Sequence, residues 1–206
     1  MPQAITLCIA DDHKLFREGI KATLESGKRF RVVHEVENAA RLKSALQEQC
    51  VDIVLLDYKM PGGGAMATIE YLKRRFEGIK IVMLTGISLG PVFQRFVELQ
   101  VDGVLLKDMS SEALIDSIIR VAEGQRVIAE QVDAYLGSEQ DQLSSREFQV
   151  MELVLAGLGN TEIASRMGIA VKTVGNHRHK FMQKLGLKNG VELMRYAIQN
   201  GLVDDE

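Results

Sequence analysis

The chain has 206 residues, 46% hydrophobic and 26% charged, with a net charge of −3 and two cysteines. That is room for one large domain or two small ones with ordinary cores, and it excludes a disulfide-stapled scaffold and a low-complexity chain. No apolar run approaches bilayer length and MPQAITLCIADD lacks the order of a signal peptide, so a cytoplasmic location without a membrane partner is expected.

In chain order, ITLCIA (Ile5 to Ala10) reads as a strand that delivers Asp11-Asp12 to its end. A helical pattern follows, with Leu15, Ile20 and Leu24 predicted on one face. FRVVHEV (Phe30 to Val36) reads as a second strand. VDIVLL (Val51 to Leu56) reads as a third, ending on Asp57 before Met-Pro-Gly-Gly-Gly turns the chain. There follow a helix from Ala65 to Phe76, a strand IKIVML (Ile79 to Leu84) ending on Thr85, and a helix from Leu89 to Leu99. A strand VDGVLL (Val101 to Leu106) ending on Lys107 and a helix from Ser111 to Glu123 complete the series. Apolar strands alternating with helices predict an α/β fold over residues 1–123, a doubly wound five-stranded parallel sheet covered on both faces. Cys8 and Cys50 have no metal-ligand spacing and are expected to be buried free thiols.

Ligands of such sheets bind outside the carboxyl ends of the strands. Four of the five predicted strands bring a polar, reactive residue to that edge, namely Asp11-Asp12, Asp57, Thr85 and Lys107. Converging carboxylates repel one another unless a cation holds them, and an all-oxygen set with room for water suits Mg²⁺. A metal-braced Asp57 is a nucleophile toward phosphorus, with Lys107 pairing one phosphoryl oxygen and Thr85 hydrogen-bonding another. The implied chemistry is phosphoryl transfer onto Asp57.

Gly124 to Gln142 has the period of neither a long helix nor a strand pair and reads as a linker at 124–141, with a short helix possible at Gln131 to Leu136. Strand signals vanish over 142–206, an all-α region of four predicted helices. Ser144-Ser145-Arg146-Glu147 is a capping box opening the first, to about Ala156. Asn160 is expected to cap the second, to Met167 before Gly168. The third runs from about Val171 to Leu185, and Asn189 with Glu192 opens the fourth, to about Asn200. Two helices joined by the short MGIA turn, the second basic, form the layout of a helix-turn-helix.

Between Ile163 and Val191 stand Arg166, Lys172, Arg178, Lys180, Lys184 and Lys188 and no acid, a polyanion-facing composition in an acidic chain. In the third helix Val174, Phe181 and Leu185 form an apolar stripe. Lys172, Asn176, His179, Lys180 and Lys184 fall on the faces left to enter a major groove of double-stranded DNA.

The residues also carry a resemblance. Asp11-Asp12, LLDYKMPGG around Asp57, the Leu84-Thr85-Gly86 step and GVLLKD around Lys107 resemble the flavodoxin-like receiver domain of two-component response regulators. LSSREFQVMELVLAGLGNTEIASRMGIAVKTVGNHRHKFMQKLGLKN resembles the LuxR-type helix-turn-helix of the NarL/FixJ type. The resemblance implies a transcription regulator rather than an enzyme. A partner histidine kinase would phosphorylate Asp57, with Mg²⁺ held by Asp12, Asp57, the backbone carbonyl of Lys59 and, often through water, Asp11. Thr85 and Lys107 would read the phosphoryl group. It further implies Gly175, Asn176 and His179 nearest the bases, and Lys172, Thr173, His177 and Lys180 toward the DNA backbone. The active form would be a homodimer through the last helix, at Val191, Met194, Ala197 and Ile198.

Several positions depart from the family pattern. Val104 stands where such receivers often carry Tyr or Phe, and Lys59 and Ile87 flank the approach of attacking water, where they would slow loss of the phosphoryl group. Gly175 replaces a long basic side chain and Ala170 a capping Ser or Thr, each weakening the third helix by about 1 kcal/mol. The alternative function is a phosphorylation-independent receiver regulated by protein or ligand binding and fused to a DNA-binding domain. Val104 favours it; the intact acidic pair, Asp57, Thr85 and Lys107 oppose it. A phosphohydrolase working through an aspartyl phosphate needs a second aspartate two residues after the nucleophile, where Lys59 stands. A helical tail that binds only protein is opposed by the acid-free run. His13 is expected on the surface, at the start of the first helix.

Overall fold

A computed structural model of the chain describes residues 4–62, 64–86, 90–130, 143–199, 202 and 203. The expected helix at Gln131 to Leu136, together with Ile87 and the helix end at Asn200, lies outside the described residues. Two compact units emerge, one of residues 1–86 with 96–130 and one of residues 87–95 with 131–206.

The first unit is built on β1 (Ile5–Ala10), α1 (Lys14–Glu25), β2 (Phe30–Val36), α2 (Ala39–Glu48), β3 (Ile53–Asp57), α3 (Ala65–Arg75) and β4 (Lys80–Thr85). It continues through α4 (Gly90–Glu98), which spans the division between the units, to β5 (Gly103–Leu106), α5 (Ser111–Ala122) and β6 (Val127–Ile128). The strands lie in the order β2-β1-β3-β4-β5-β6, every neighbouring pair parallel. The order reverses at β1, so β1 and β3 flank the switch point at which such sheets place their ligands.

The sheet has six strands where the sequence predicts five. β6 is two residues long, too short for any periodicity, and follows a turn at Gly124, whose φ of 89° is left-handed. It lies inside the segment read as a linker, with Val104 facing Ile128 and the Ala129 N–H donating to the Val104 carbonyl at 3.0 Å.

Alternation along the strands fills both faces. Leu7, Ile9, Ile53, Leu55, Val82, Leu84 and Leu105 form one buried cluster with Ile20 and Leu24 of α1 and Leu114, Ile118 and Val121 of α5. The intervening Cys8, Val54, Leu56, Ile81, Met83 and Val104 are just as buried, so the opposite face is covered too. One assignment on α1 is corrected: Leu15 is 84% exposed while Ile20 and Leu24 are buried. At about 100° per residue, positions five and nine apart fall on opposite sides of a helix, and Phe16, four before Ile20, joins the cluster instead. Cys50 is likewise exposed, and Cys8 alone of the two thiols is buried.

The second unit holds α6 (Ser145–Leu155), α7 (Asn160–Met167), α8 (Val171–Lys184) and α9 (Gly190–Gln199). The capping box forms as read: Ser144 Oγ accepts from the Glu147 N–H and the Glu147 carboxylate accepts from the Ser144 N–H. Asn160 does not cap α7. Gly159 is the N-cap residue, its N–H bound by the Glu162 carboxylate at 2.8 Å, and Asn160 Oδ1 accepts from Arg178 instead. Gly168 ends α7 at a φ of 66°, where any side chain would be strained, and this leaves the short turn into α8. Asn189 Oδ1 accepts from the Glu192 N–H at the start of α9. α8 packs on α6 and α7, and Phe148, Met151, Ile163, Val174, Phe181, Leu193 and Ala197 are buried.

Candidate functional site

The register of the sheet brings the strand ends level. The Asp11 N–H donates to the Val36 carbonyl and the Lys107 N–H to the Thr85 carbonyl, both at 3.0 Å, which carries the ladder one residue past β1 and past β5. Asp57 is the last residue of β3 and Thr85 the last of β4, paired with Leu106. Asp11, Asp57 and Thr85 are 2%, 3% and 0% exposed, so this edge is polar yet shielded from water.

Lys107 joins the two carboxylates. Its Nζ lies 2.7 Å from Asp11 Oδ2 and 3.0 Å from Asp57 Oδ2, and 4.7 Å from the centre of the Phe16 ring. Asp11 Oδ2 and Asp57 Oδ2 are covered from solvent and, beyond this ion pair, have no hydrogen-bond partner among the described residues. Burial pushes the Asp57 carboxyl above the usual carboxylate range. The Lys107 ammonium opposes that shift, the charge of Asp11 adds to it, and the Lys59 backbone N–H, bonded to the carboxylate, lowers it. Two buried acids facing one ammonium leave negative charge uncompensated, the condition in which a cation is welcome.

Asp12 stands on the rim, more than a third exposed. Oxygens of Asp11, Asp12 and Asp57 and a nitrogen of His13 all lie within 4.8 Å of one another. The donor set therefore fits Mg²⁺, with the Asp11, Asp12 and Asp57 carboxylates positioned to hold it. His13 was missed as a member of this cluster because a histidine opening a helix reads as surface. Arg17 was missed as well, one turn farther on, where its guanidinium donates to the Asp11 carbonyl. Val104 is fully buried in β5. After Asp57, the Pro61 carbonyl accepts from the Ala39 N–H at 3.0 Å, and Gly62 adopts a φ of 88°, which ties the turn to the start of α2. Tyr58, next to the acid, meets Phe96 edge-on at 5.9 Å.

On α8, Val174 and Phe181 are buried and the opposite side is polar. Lys172, Asn176, His179 and Lys180 are exposed, and their spacing of three, four and eight places them on one face. Gln183, also exposed, continues that face by one turn. Thr173, Gly175 and His177 are half-buried. Lys184 is corrected. Its ammonium lies 2.8 Å from the buried Glu147 carboxylate, so it sits on the capping box of α6 rather than among the groups facing outward.

On α9, Val191 is 71% and Met194 43% exposed, with Ile198 half-buried. Ala197, expected beside them at an interface, is fully buried. It lies four residues after the buried Leu193, on the side turned to the unit's own core.

Residues 7–119 match the family described as "Response regulator receiver domain", and residues 141–197 match "Bacterial regulatory proteins, luxR family". The chain is 30% identical to Response regulator UvrY of Escherichia coli (strain K12), with 98% of this chain and 97% of that protein aligned. It is 32% identical to the nitrate/nitrite response regulator protein NarP of Escherichia coli (strain K12), over 93% and 94% of the two chains. Among solved structures, RcsB of Salmonella enterica serovar Typhimurium, bound to promoter rprA in the presence of phosphomimetic BeF3-, matches with a TM-score of 0.77. It is 28% identical and covers 94% of this chain and 98% of its own. A two-component response regulator RcsB–DNA complex matches with a TM-score of 0.69 at the same identity, over 94% and 98%.

Proposed function

Because the chain belongs to the two-component response regulators of the NarL/FixJ type, a receiver domain followed by a LuxR-type helix-turn-helix, we propose that it is a DNA-binding transcription regulator switched by Mg²⁺-dependent phosphorylation of Asp57. The donor is a phosphohistidine on a sensor histidine kinase. The observation that carries this reading is the Asp11–Lys107–Asp57 arrangement, two buried carboxylates on one ammonium at the switch point of the sheet.

In the transfer step, a carboxylate oxygen of Asp57 attacks phosphorus and the N–P bond of the donor breaks, its electron pair returning to the imidazole. Bound Mg²⁺, held by Asp11, Asp12, Asp57 and the Lys59 carbonyl, would supply neutralisation of the charge that builds on the phosphoryl oxygens. Lys107 already sits within ion-pair distance of Asp57 and turns its ammonium from Asp11 to a phosphoryl oxygen. Thr85, buried at the end of β4, supplies a hydroxyl to another. Asp57 phosphorylation then alters β4 and β5, and the response reaches the second domain through the chain that follows β6. The receiver, expected to end at 123, is assigned through β6 to residue 130, because that strand pairs with β5 and belongs to the first unit; the connecting segment then runs to 141 and the DNA-binding domain spans 142–206.

On DNA, Lys172, Asn176, His179 and Lys180 form the exposed face of α8 that enters the major groove, with Thr173, Gly175 and His177 at its margin. Dimerisation uses the exposed Val191 and Met194, with Ile198 beside them.

The test is intact-mass measurement after incubation with Mg²⁺ and acetyl phosphate. One added phosphoryl group is expected, absent from Asp57→Asn and absent without Mg²⁺. One observation favours a second reading: Val104, buried and aliphatic, has no ring to swing inward as Thr85 moves. A receiver controlled by protein or ligand binding would show no adduct with acetyl phosphate or with histidine kinases, and would bind DNA equally with and without donor.

A further inference from the structure

We propose that His13 makes the acidic pocket a mixed nitrogen and oxygen site that holds a borderline divalent cation, Co²⁺ or Ni²⁺, more tightly than Mg²⁺. The inference rests on the reading of that pocket as a cation site and adds a donor of different chemistry to it. The His13 Nδ1 lies 2.8 Å from Asp12 Oδ1 and 3.4 Å from Asp11 Oδ1, among the carboxylate oxygens rather than facing away from them. One ligand atom from each of Asp11, Asp12, His13 and Asp57 falls within 4.8 Å of the others, a spread that one ion can satisfy.

The backbone fixes this placement. The His13 N–H donates to Asp11 Oδ1 at 2.8 Å, which holds the residue at the pocket rim. Its side chain, 66% exposed, makes no capping bond to α1, so the helix does not compete with the carboxylates for Nδ1. A separate observation points to a ligand: Asp11 Oδ2 and Asp57 Oδ2 are shielded and, among the described residues, meet only the Lys107 ammonium.

Mg²⁺ is a hard ion that prefers oxygen and keeps its waters, whereas affinity for imidazole rises from Mn²⁺ through Co²⁺ to Ni²⁺. A neutral imidazole carrying its proton on Nε2 offers the Nδ1 lone pair to the ion. His13 therefore adds little to Mg²⁺ binding and much to binding of the later metals.

The experiment uses the full chain, with Mg²⁺ and Co²⁺ dissociation constants measured by displacement of Mn²⁺ followed by electron paramagnetic resonance. The proton NMR spectrum of the Co²⁺ form provides a second readout. His13→Ala is expected to weaken Co²⁺ about tenfold or more and leave Mg²⁺ unchanged. It should also abolish a paramagnetically shifted, exchangeable imidazole N–H resonance present in the wild type. Asp57→Asn should weaken both metals, which places them in this pocket. Equal Co²⁺ affinity in the wild type and His13→Ala, with Mg²⁺ still bound, overturns the role of His13 and leaves the acidic pocket standing. Failure of the wild type to bind either metal overturns both. Co²⁺ binding unaffected by Asp57→Asn overturns the inference by placing the metal elsewhere.

Discussion

At Lys184 one ammonium separates two roles that the sequence cannot tell apart, DNA contact and internal ion pair. Burial by itself would raise the Glu147 carboxyl, but the Lys184 ammonium and the Ser144 backbone N–H and hydroxyl together hold it below its ordinary value of 4.5. Its folded pKa is lowered, so this stabilisation is present above pH 4.5 and is lost as pH falls through the folded value. Lys184→Ala should therefore cost about 1–2 kcal/mol, between an exposed and a buried pair, and make acid unfolding shallower; urea titrations across that pH range check both. It should leave the salt dependence of DNA binding nearly unchanged. Lys180→Ala should lower that slope by about one and weaken all sequences alike; binding isotherms over a salt series on two unrelated operators distinguish them. The thiols separate in the same way: burial pushes Cys8 up to about 12 while Cys50 is exposed, so one thiol per native chain should react with an aromatic disulfide and two after denaturation. Asp57, Thr85 and Lys107 were legible because each ends an apolar run that can only be a buried strand. Cys50 and Ala197 were not, because their burial depends on distant chain or on which side of a helix meets the core, and His13, read as a surface residue and found exposed, gave no sign that its ring turns back to the two aspartates before it.

The elements were legible in proportion to their length. β1 and β2 run over the residues their apolar patterns mark, and α1, α3, α4 and α5 stand where helical patterns were read, whereas α2 was given no bounds and β6, with two residues, left no pattern and is held by its pairing with β5. α7 begins one residue from where its asparagine suggests, because the Glu162 carboxylate satisfies the Gly159 N–H and leaves Asn160 to Arg178. α8 enters at Ala170, which makes no side-chain cap, and carries Gly175 at an ordinary helical φ with open space around a Cβ there. Gly175→Ala should then stabilise the helix by about 1 kcal/mol, and Ala170→Ser by a similar amount. In a unit of this size that corresponds to a rise in thermal midpoint of about 4–8 °C for each change, read by calorimetry. Greater stability with unaltered DNA affinity would show that the glycine is a weakness of the helix; lost affinity would show that the groove needs the space.

For the whole molecule, the dimer contact proposed on α9 would join dimerisation to DNA binding. Val191 and Met194 project from the second unit without supporting its core, so Val191→Glu and Met194→Glu should change stability by less than about 0.5 kcal/mol. Both should keep the phosphorylated chain monomeric in sedimentation, and weaken binding to a two-half-site operator about tenfold or more while sparing a single half-site. Alternation of β and α, then helices alone, was enough to reveal two architectures in one chain, because each has its own hydrophobic period. The period says nothing of where the first one stops. A chain truncated after Glu123, as helix periodicity alone would advise, discards β6 and strips β5 of the neighbour that takes up its outer N–H and carbonyl groups. Such a fragment carries an open parallel edge beside the buried Val104 and should self-associate and precipitate, whereas one ending at Glu130 keeps the edge closed and stays in solution.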